Sequence, residues 1–200
     1  PATVTAVTGG GTALVTPKAL TLSALTTIGN KVYDGTTAAG VAVVSSIVAG
    51  GFVGTETVTA TGSAVALTSA NVGTYATSVN YTLANGSNGG LMGNYSLAVS
   101  TGVEAIVTPK GLTITGVTAS NRDYDGTTIA GLTTGALDGV IPADTMVVLT
   151  QGTGAFTIKD VGTGITVTAS GFTLTGTGSS NYTLTAQPSG LTANITQKAV

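Results

Sequence analysis

Two hundred residues, 42% of them hydrophobic and 7% charged, suit one or two domains that can bury a core without disulfides. A formal net charge of −2 leaves no basic stripe to neutralise a phosphate backbone, so nucleic acid is not an expected partner. With no His and no Cys, neither a Ser/His/Asp triad nor a thiol nucleophile can be built, and the chain does not read as an enzyme.

The first stretch, 1–16, is rich in Thr and reads as the tail of a preceding unit or a linker strand. A strand follows: Leu20, Leu22 and Ala24 alternate with Thr21 and Ser23, the period of a half-buried sheet. Next comes "NKVYDGTTAAG" at residues 30–40. Its Asp34-Gly35 step is a turn signal, because Gly accepts a positive φ and Asp bonds its own local backbone. Tyr33 is expected to cap the core beside that turn, with its hydroxyl on water or a backbone group. The run "VAVVSSIVAGG" is too rich in β-branched residues to read as helix. Alternation returns at 58–66, 75–83, 95–99 and 103–107, with the exposed-looking loop "ANGSNGG" between the second and third.

The chain then begins again. "VTPKALTLSALT" from Val15 recurs as "VTPKGLTITGVT" from Val107, and "NRDYDGTTIAG" at 121–131 repeats the turn with Tyr124, Asp125 and Gly126. The landmark "NVGTY" at Asn71 becomes "DVGTG" at Asp160, and "GNYSLAV" at Gly93 becomes "SNYTLTA" at Ser180. "ITQKAV" from Ile195 starts a third time. The expected organisation is therefore a first β domain at 17–107, a second at 108–196 and the start of a further unit at 197–200. Short strands separated by Gly, Asn and Asp turns predict an all-β fold of two tandem immunoglobulin-like β-sandwich domains, with β-grasp-like domains as the alternative. A β-solenoid would need a shorter period, of about 20–30 residues. No apolar run is long enough to span a bilayer as a helix, so membrane insertion is not expected.

Few residues offer chemistry. Each unit has a Lys in its first strand, an acid in its middle and an Asn before its late Tyr: Lys18, Glu56 and Asn94, then Lys110, Asp144 and Asn181. A spontaneous Lys–Asn isopeptide bond needs this set, with a neutral amine, a carboxamide and a protonated acid all desolvated. The bland alternative makes the lysines rim charges that protect edge strands. Asp123 and Asp125 offer two carboxylates to a calcium ion, the one cofactor considered, although Val32 replaces Asp123 in the first unit. Acceptor patterns for N-glycosylation occur at Asn80, Asn85, Asn94, Asn181 and Asn194, with Asn85 in the most exposed-looking loop. A paired-carboxylate glycosidase would want aromatic platforms, and Trp is absent.

The Tyr-Asp-Gly-Thr-Thr landmark, the "TPK" starts, the "NVGTY" and "DVGTG" turns and the "NYSL" and "NYTL" strands together resemble the YDG and MBG repeats of bacterial filamentous-haemagglutinin-like adhesins. The second unit departs from the pattern at Gly164, where the first has Tyr75. The resemblance implies a giant secreted protein of the cell surface or extracellular matrix. Its tandem β domains would act as a stalk or spacer that projects an adhesive region for attachment or biofilm formation. The implied partners are neighbouring repeat domains of the same chain, other copies of the protein, and host or biofilm glycans. Two other readings remain beside the spacer. One is a binding module that grips a glycan or protein through the loops at 84–93 or 137–144. The other is a self-assembling extracellular fibre paired through Thr-rich edges.

Overall fold

The structure is a computed structural model that describes residues 3–5 and 14–200. Of the expected tail at 1–16, residues 1, 2 and 6–13 lie outside the described residues; Thr3–Thr5 pairs antiparallel with Leu14–Thr16. The fold is all-β, with short 3-10 turns as its helical elements among the described residues. No helix in them is long and apolar enough to cross a membrane.

The chain divides into two compact units. One holds the residues up to Val32 together with Thr36–Thr108; the other holds Tyr33–Gly35 together with Pro109–Val200. In the first unit the main sheet runs in the order Lys31–Val32, Ser100–Thr108, Gly73–Asn85, Val58–Ala64. Period-two alternation decides which side chains it buries. Thr77 and Val79 turn inward from the long strand, with Val79 fully covered, and Ala105 and Val107 do so from its neighbour. Around this sheet Leu20, Val58 and Tyr95 form a small aliphatic and aromatic cluster, packed against Ile47, Phe52, Leu83 and Leu97.

The second unit repeats the plan. Its largest sheet has the order Arg122–Asp123, Leu191–Thr196, Gly162–Ser170, Thr153–Phe156, Ile129–Ala130, and a smaller one has Ala136–Asp138, Lys110–Thr115, Tyr182–Leu184. The core gathers Ala130, Phe156, Ile165, Val167, Ala193 and Ile195, with Tyr124 and Leu132 against its margin. Deleting a side chain such as Ile195, 1% exposed, to Ala is worth about 2–5 kcal/mol in a core this thin.

Most strand pairs are antiparallel, as a sandwich requires. Among the described residues four short pairs are not. Lys18–Leu20 runs parallel to Tyr95–Leu97, and Lys31–Val32 to the end of Ser100–Thr108. Their counterparts are Lys110–Thr115 beside Tyr182–Leu184, and Arg122–Asp123 beside Leu191–Thr196. Parallel pairing lies outside the purely antiparallel scheme behind the immunoglobulin-like expectation. It arises because strands from the start of each unit return beside strands from its end, which alternation along the chain does not reveal.

Candidate functional site

The turn after each early Tyr is built as its residue types dictate. Gly35 and Gly126 take φ of 78° and 80°, a left-handed conformation that a side chain strains. Asp125 closes the second turn on itself: its Oδ1 accepts from the Thr127 amide at 2.8 Å and from the Thr127 hydroxyl at 2.9 Å. Those two bonds, with the Arg122 guanidinium at 2.6 Å from Oδ2, hold its carboxyl below the usual carboxylate range. The basic residue two places before each Tyr reaches over the turn to the Thr that follows Gly. Lys31 Nζ donates to the Thr36 carbonyl at 2.7 Å, the Thr36 hydroxyl at 2.8 Å and the Ala38 carbonyl at 2.7 Å. Arg122 donates to the Thr127 hydroxyl at 2.9 Å and to its carbonyl, while its guanidinium carbon lies 5.3 Å from the centre of the Phe156 ring.

The late tyrosines share a second geometry. A short 3-10 turn, Met92–Asn94 or Ser179–Asn181, delivers Tyr95 or Tyr182 into its strand, with the tyrosine amide donating to Met92 or Ser179. In the first unit the Tyr95 hydroxyl donates to Glu56 Oε2 at 2.5 Å and accepts from the Val53 amide at 3.2 Å. In the second, the Tyr182 hydroxyl donates to Asp144 Oδ2 at 2.5 Å and accepts from the Ile141 amide at 3.1 Å. Each is a clasp of one ring, one carboxylate and one backbone N–H, charge-assisted and therefore stronger than a neutral hydrogen bond.

The second unit's clasp holds one group more. Tyr33, 5% exposed, donates to the same Asp144 Oδ2 at 2.9 Å and meets Tyr182 edge-on, with ring centres 5.4 Å apart. The Asn181 side chain also bonds the Tyr33 hydroxyl. Burial first, and the Asp144 carboxylate second, push Tyr33 up and carry Tyr182 to about 12. Tyr95 is raised as well, chiefly by its hydrogen bond to Glu56.

Residues 16–102 and 108–190 each match the family model described as the YDG domain. The chain belongs to the YDG domain family. No curated protein and no solved structure is matched.

In these YDG repeats the parallel pairs bring each Lys of the trios near its Asn. Lys18 and Lys110 stand opposite Tyr95 and Tyr182 in the parallel pairs, one residue from Asn94 and Asn181. Glu56 and Asp144, however, are occupied by tyrosine hydroxyls, and the half-buried Lys18 ammonium donates to the Phe52 carbonyl at 3.2 Å. The two carboxylates weighed for calcium are likewise taken by separate partners, Asp123 by the Thr196 hydroxyl at 2.6 Å and Asp125 by Arg122 and Thr127. Among the described residues no group of three His, Cys, Asp or Glu side chains that could hold a metal ion comes together.

Of the glycosylation patterns, Asn181 is 3% exposed and closed to an enzyme, whereas Asn85 is exposed at the end of its strand, its side-chain oxygen accepting from the Met92 amide at 2.9 Å. Tyr75, which the second repeat lacks, donates to the Asn71 carbonyl at 2.8 Å within its own turn. Tyr81 bridges Thr26 and Ser100.

The sequence alone predicts that Tyr33 and Tyr124 cap the adjacent core with the hydroxyl on water or backbone. Tyr124 does pack against its own core cluster, but the Tyr33 hydroxyl goes to a carboxylate far along the chain. Pairing of Tyr with acid across the sequence is the feature that the residues along the chain show least. Its one signal was that Glu56 and Asp144 fall at matching places in the two repeats.

Proposed function

We propose that this chain is a pair of load-bearing spacer repeats from a large secreted bacterial surface adhesin of the filamentous-haemagglutinin-like kind. They hold an adhesive region away from the cell for attachment or biofilm formation. The parallel pairing of early and late strands in each repeat carries this reading. Lys18–Leu20 lies along Tyr95–Leu97, and Lys110–Thr115 along Tyr182–Leu184. A pull on the two ends of a repeat drives parallel neighbours in opposite directions along their length. The hydrogen bonds between them are then loaded together, in shear, instead of opening one at a time. A module that must transmit tension gains from that arrangement; a catalyst does not. The clasps of Tyr95 on Glu56 and Tyr182 on Asp144 sit at the first residue of each late strand, where they anchor it to the body of its repeat.

Single-molecule stretching of the chain tests the proposal. The expected trace shows two separate unfolding peaks, each releasing about 300 Å of chain, the extended length of roughly ninety residues. The peaks should stand at forces typical of sheared sheets. Extension without resolved peaks, at forces near the instrumental noise, would remove the load-bearing role.

A further inference from the structure

The second unit contains three residues that chain order places inside the first repeat. Tyr33–Gly35 belong to it, although Val32 and Thr36 on either side belong to the first unit. The first unit takes no segment in return, since it ends at Thr108. The contacts that hold the turn are specific. The Tyr33 ring lies edge-on to Tyr182, and its hydroxyl donates to Asp144 Oδ2 and bonds the Asn181 side chain. Gly35 lies against Ile141, with the position of an added Cβ 3.7 Å from two atoms of that side chain. Tyr33 and Asn181 are both buried, at 5% and 3% exposed.

One difference between the repeats accounts for this. Val53 and Ile141 supply the amides that bond the late tyrosines, and the residue before each is Phe52 in the first repeat and Val140 in the second. Phe52 meets Tyr95 edge-on with ring centres 5.7 Å apart, so the first unit fills the seat beside its late tyrosine with a ring of its own. Val140 has no ring to offer. The seat beside Tyr182 is taken by Tyr33, with ring centres 5.4 Å apart. Tyr124, the same motif in the second repeat, packs on its own unit's core, so the motif alone does not dictate where its ring goes.

We propose that Tyr182, Asp144 and Asn181 form a receptor for the Tyr-Asp-Gly turn of the preceding repeat, filled here by Tyr33–Gly35. The second unit then depends on this turn for its stability, while the first depends on no segment of the second. An edge-on aromatic pair and a charge-assisted hydrogen bond carry the dependence. It is independent of the spacer reading, because it concerns which ring completes a repeat and not how a repeat bears load.

Native-state hydrogen exchange of the intact chain tests it, read at the strands Gly73–Asn85 for the first unit and Gly162–Ser170 for the second. Tyr33→Ala should raise the opening constant of the second strand about a hundredfold and leave the first unchanged, as loss of a buried aromatic side chain requires. Tyr33→Phe, which keeps the ring, should raise it about tenfold. Val140→Phe is the decisive variant. In the Tyr33→Ala background it puts a ring where Phe52 stands in the first repeat and should restore most of the lost protection. In the wild-type background the seat is taken, so it should add none, a non-additivity that only a shared seat produces. Equal loosening of both strands by Tyr33→Ala, no loosening of the second, or a Val140→Phe effect that is the same in both backgrounds would each overturn the proposal.

Discussion

Asp144 and Glu56 stand at the same place in two copies of one repeat, yet the first receives two tyrosine hydroxyls on one oxygen and the second receives one among the described residues. The difference does not come from the acids or from their own late tyrosines, whose bonds match at 2.5 Å. It comes from which ring meets the late tyrosine edge-on: Phe52 on Tyr95, with ring centres 5.7 Å apart, and Tyr33, which brings a second hydroxyl, on Tyr182. A repeated sequence therefore yields repeated sites, while the ring that packs on each decides how many hydroxyls reach its acid.

The largest expected effect separates the two acids. Asp144→Ala strands two buried hydroxyls and should destabilise the second unit by about 3 kcal/mol, whereas Glu56→Ala strands one and should cost the first unit about 2 kcal/mol. Urea denaturation followed by hydrogen exchange, which resolves the two units, measures both. Equal losses would show that Tyr33 adds nothing to the clasp.

A second comparison sets the bases against each other. Arg122 has a side chain 17% exposed, pairs with Asp125 and covers the Phe156 ring, while Lys31 serves carbonyl and hydroxyl oxygens near the surface. Arg122→Ala should lower the thermal stability of the second unit by about 1–2 kcal/mol, and Lys31→Ala should cost the first less than about 1 kcal/mol. A reversed order would mean that the ring contact carries no weight.

The smallest effect at ordinary pH is alkaline. Tyr33, Tyr95 and Tyr182 are all raised, Tyr182 to about 12, so the folded protein favours their neutral phenols over the value near 10 of an unfolded chain. Their contribution is intact below pH about 10 and is lost as pH climbs through the folded values. Thermal melting and phenolate absorbance between pH about 9 and 12 should show the second unit weakening progressively over that range, and Tyr182→Phe should flatten its response. Melting that is independent of pH across the range would remove the carboxylates from the account.

Much of the local structure was legible in the residues themselves. Alternation marked the strands that include Val79 and Val107, and Asp-Gly marked turns whose glycines do take positive φ. The repeat of landmarks announced two like domains, and the family match covers both. The role of Lys31 and Arg122 was partly visible, since each falls at a fixed distance before the turn it secures, but nothing along the chain shows that Arg122 also lies over Phe156. Glu56, Asp144, Asp123 and Asp125 suggest isopeptide or calcium chemistry from sequence because a sequence displays their kind and spacing and conceals their partners.

By itself, then, the sequence determined what depends on neighbours along the chain: strand period, turn chemistry, the repeat, and the absence of His and Cys. Tertiary structure decided what depends on neighbours through space. It set Lys18 beside Tyr95 in parallel, brought the Tyr33 hydroxyl to Asp144, and left Glu56 with a single tyrosine among the described residues. The physical reason is range. Backbone preference and alternation act over a few residues, whereas a buried hydroxyl must find whichever acceptor the packed fold places within about 3 Å of it.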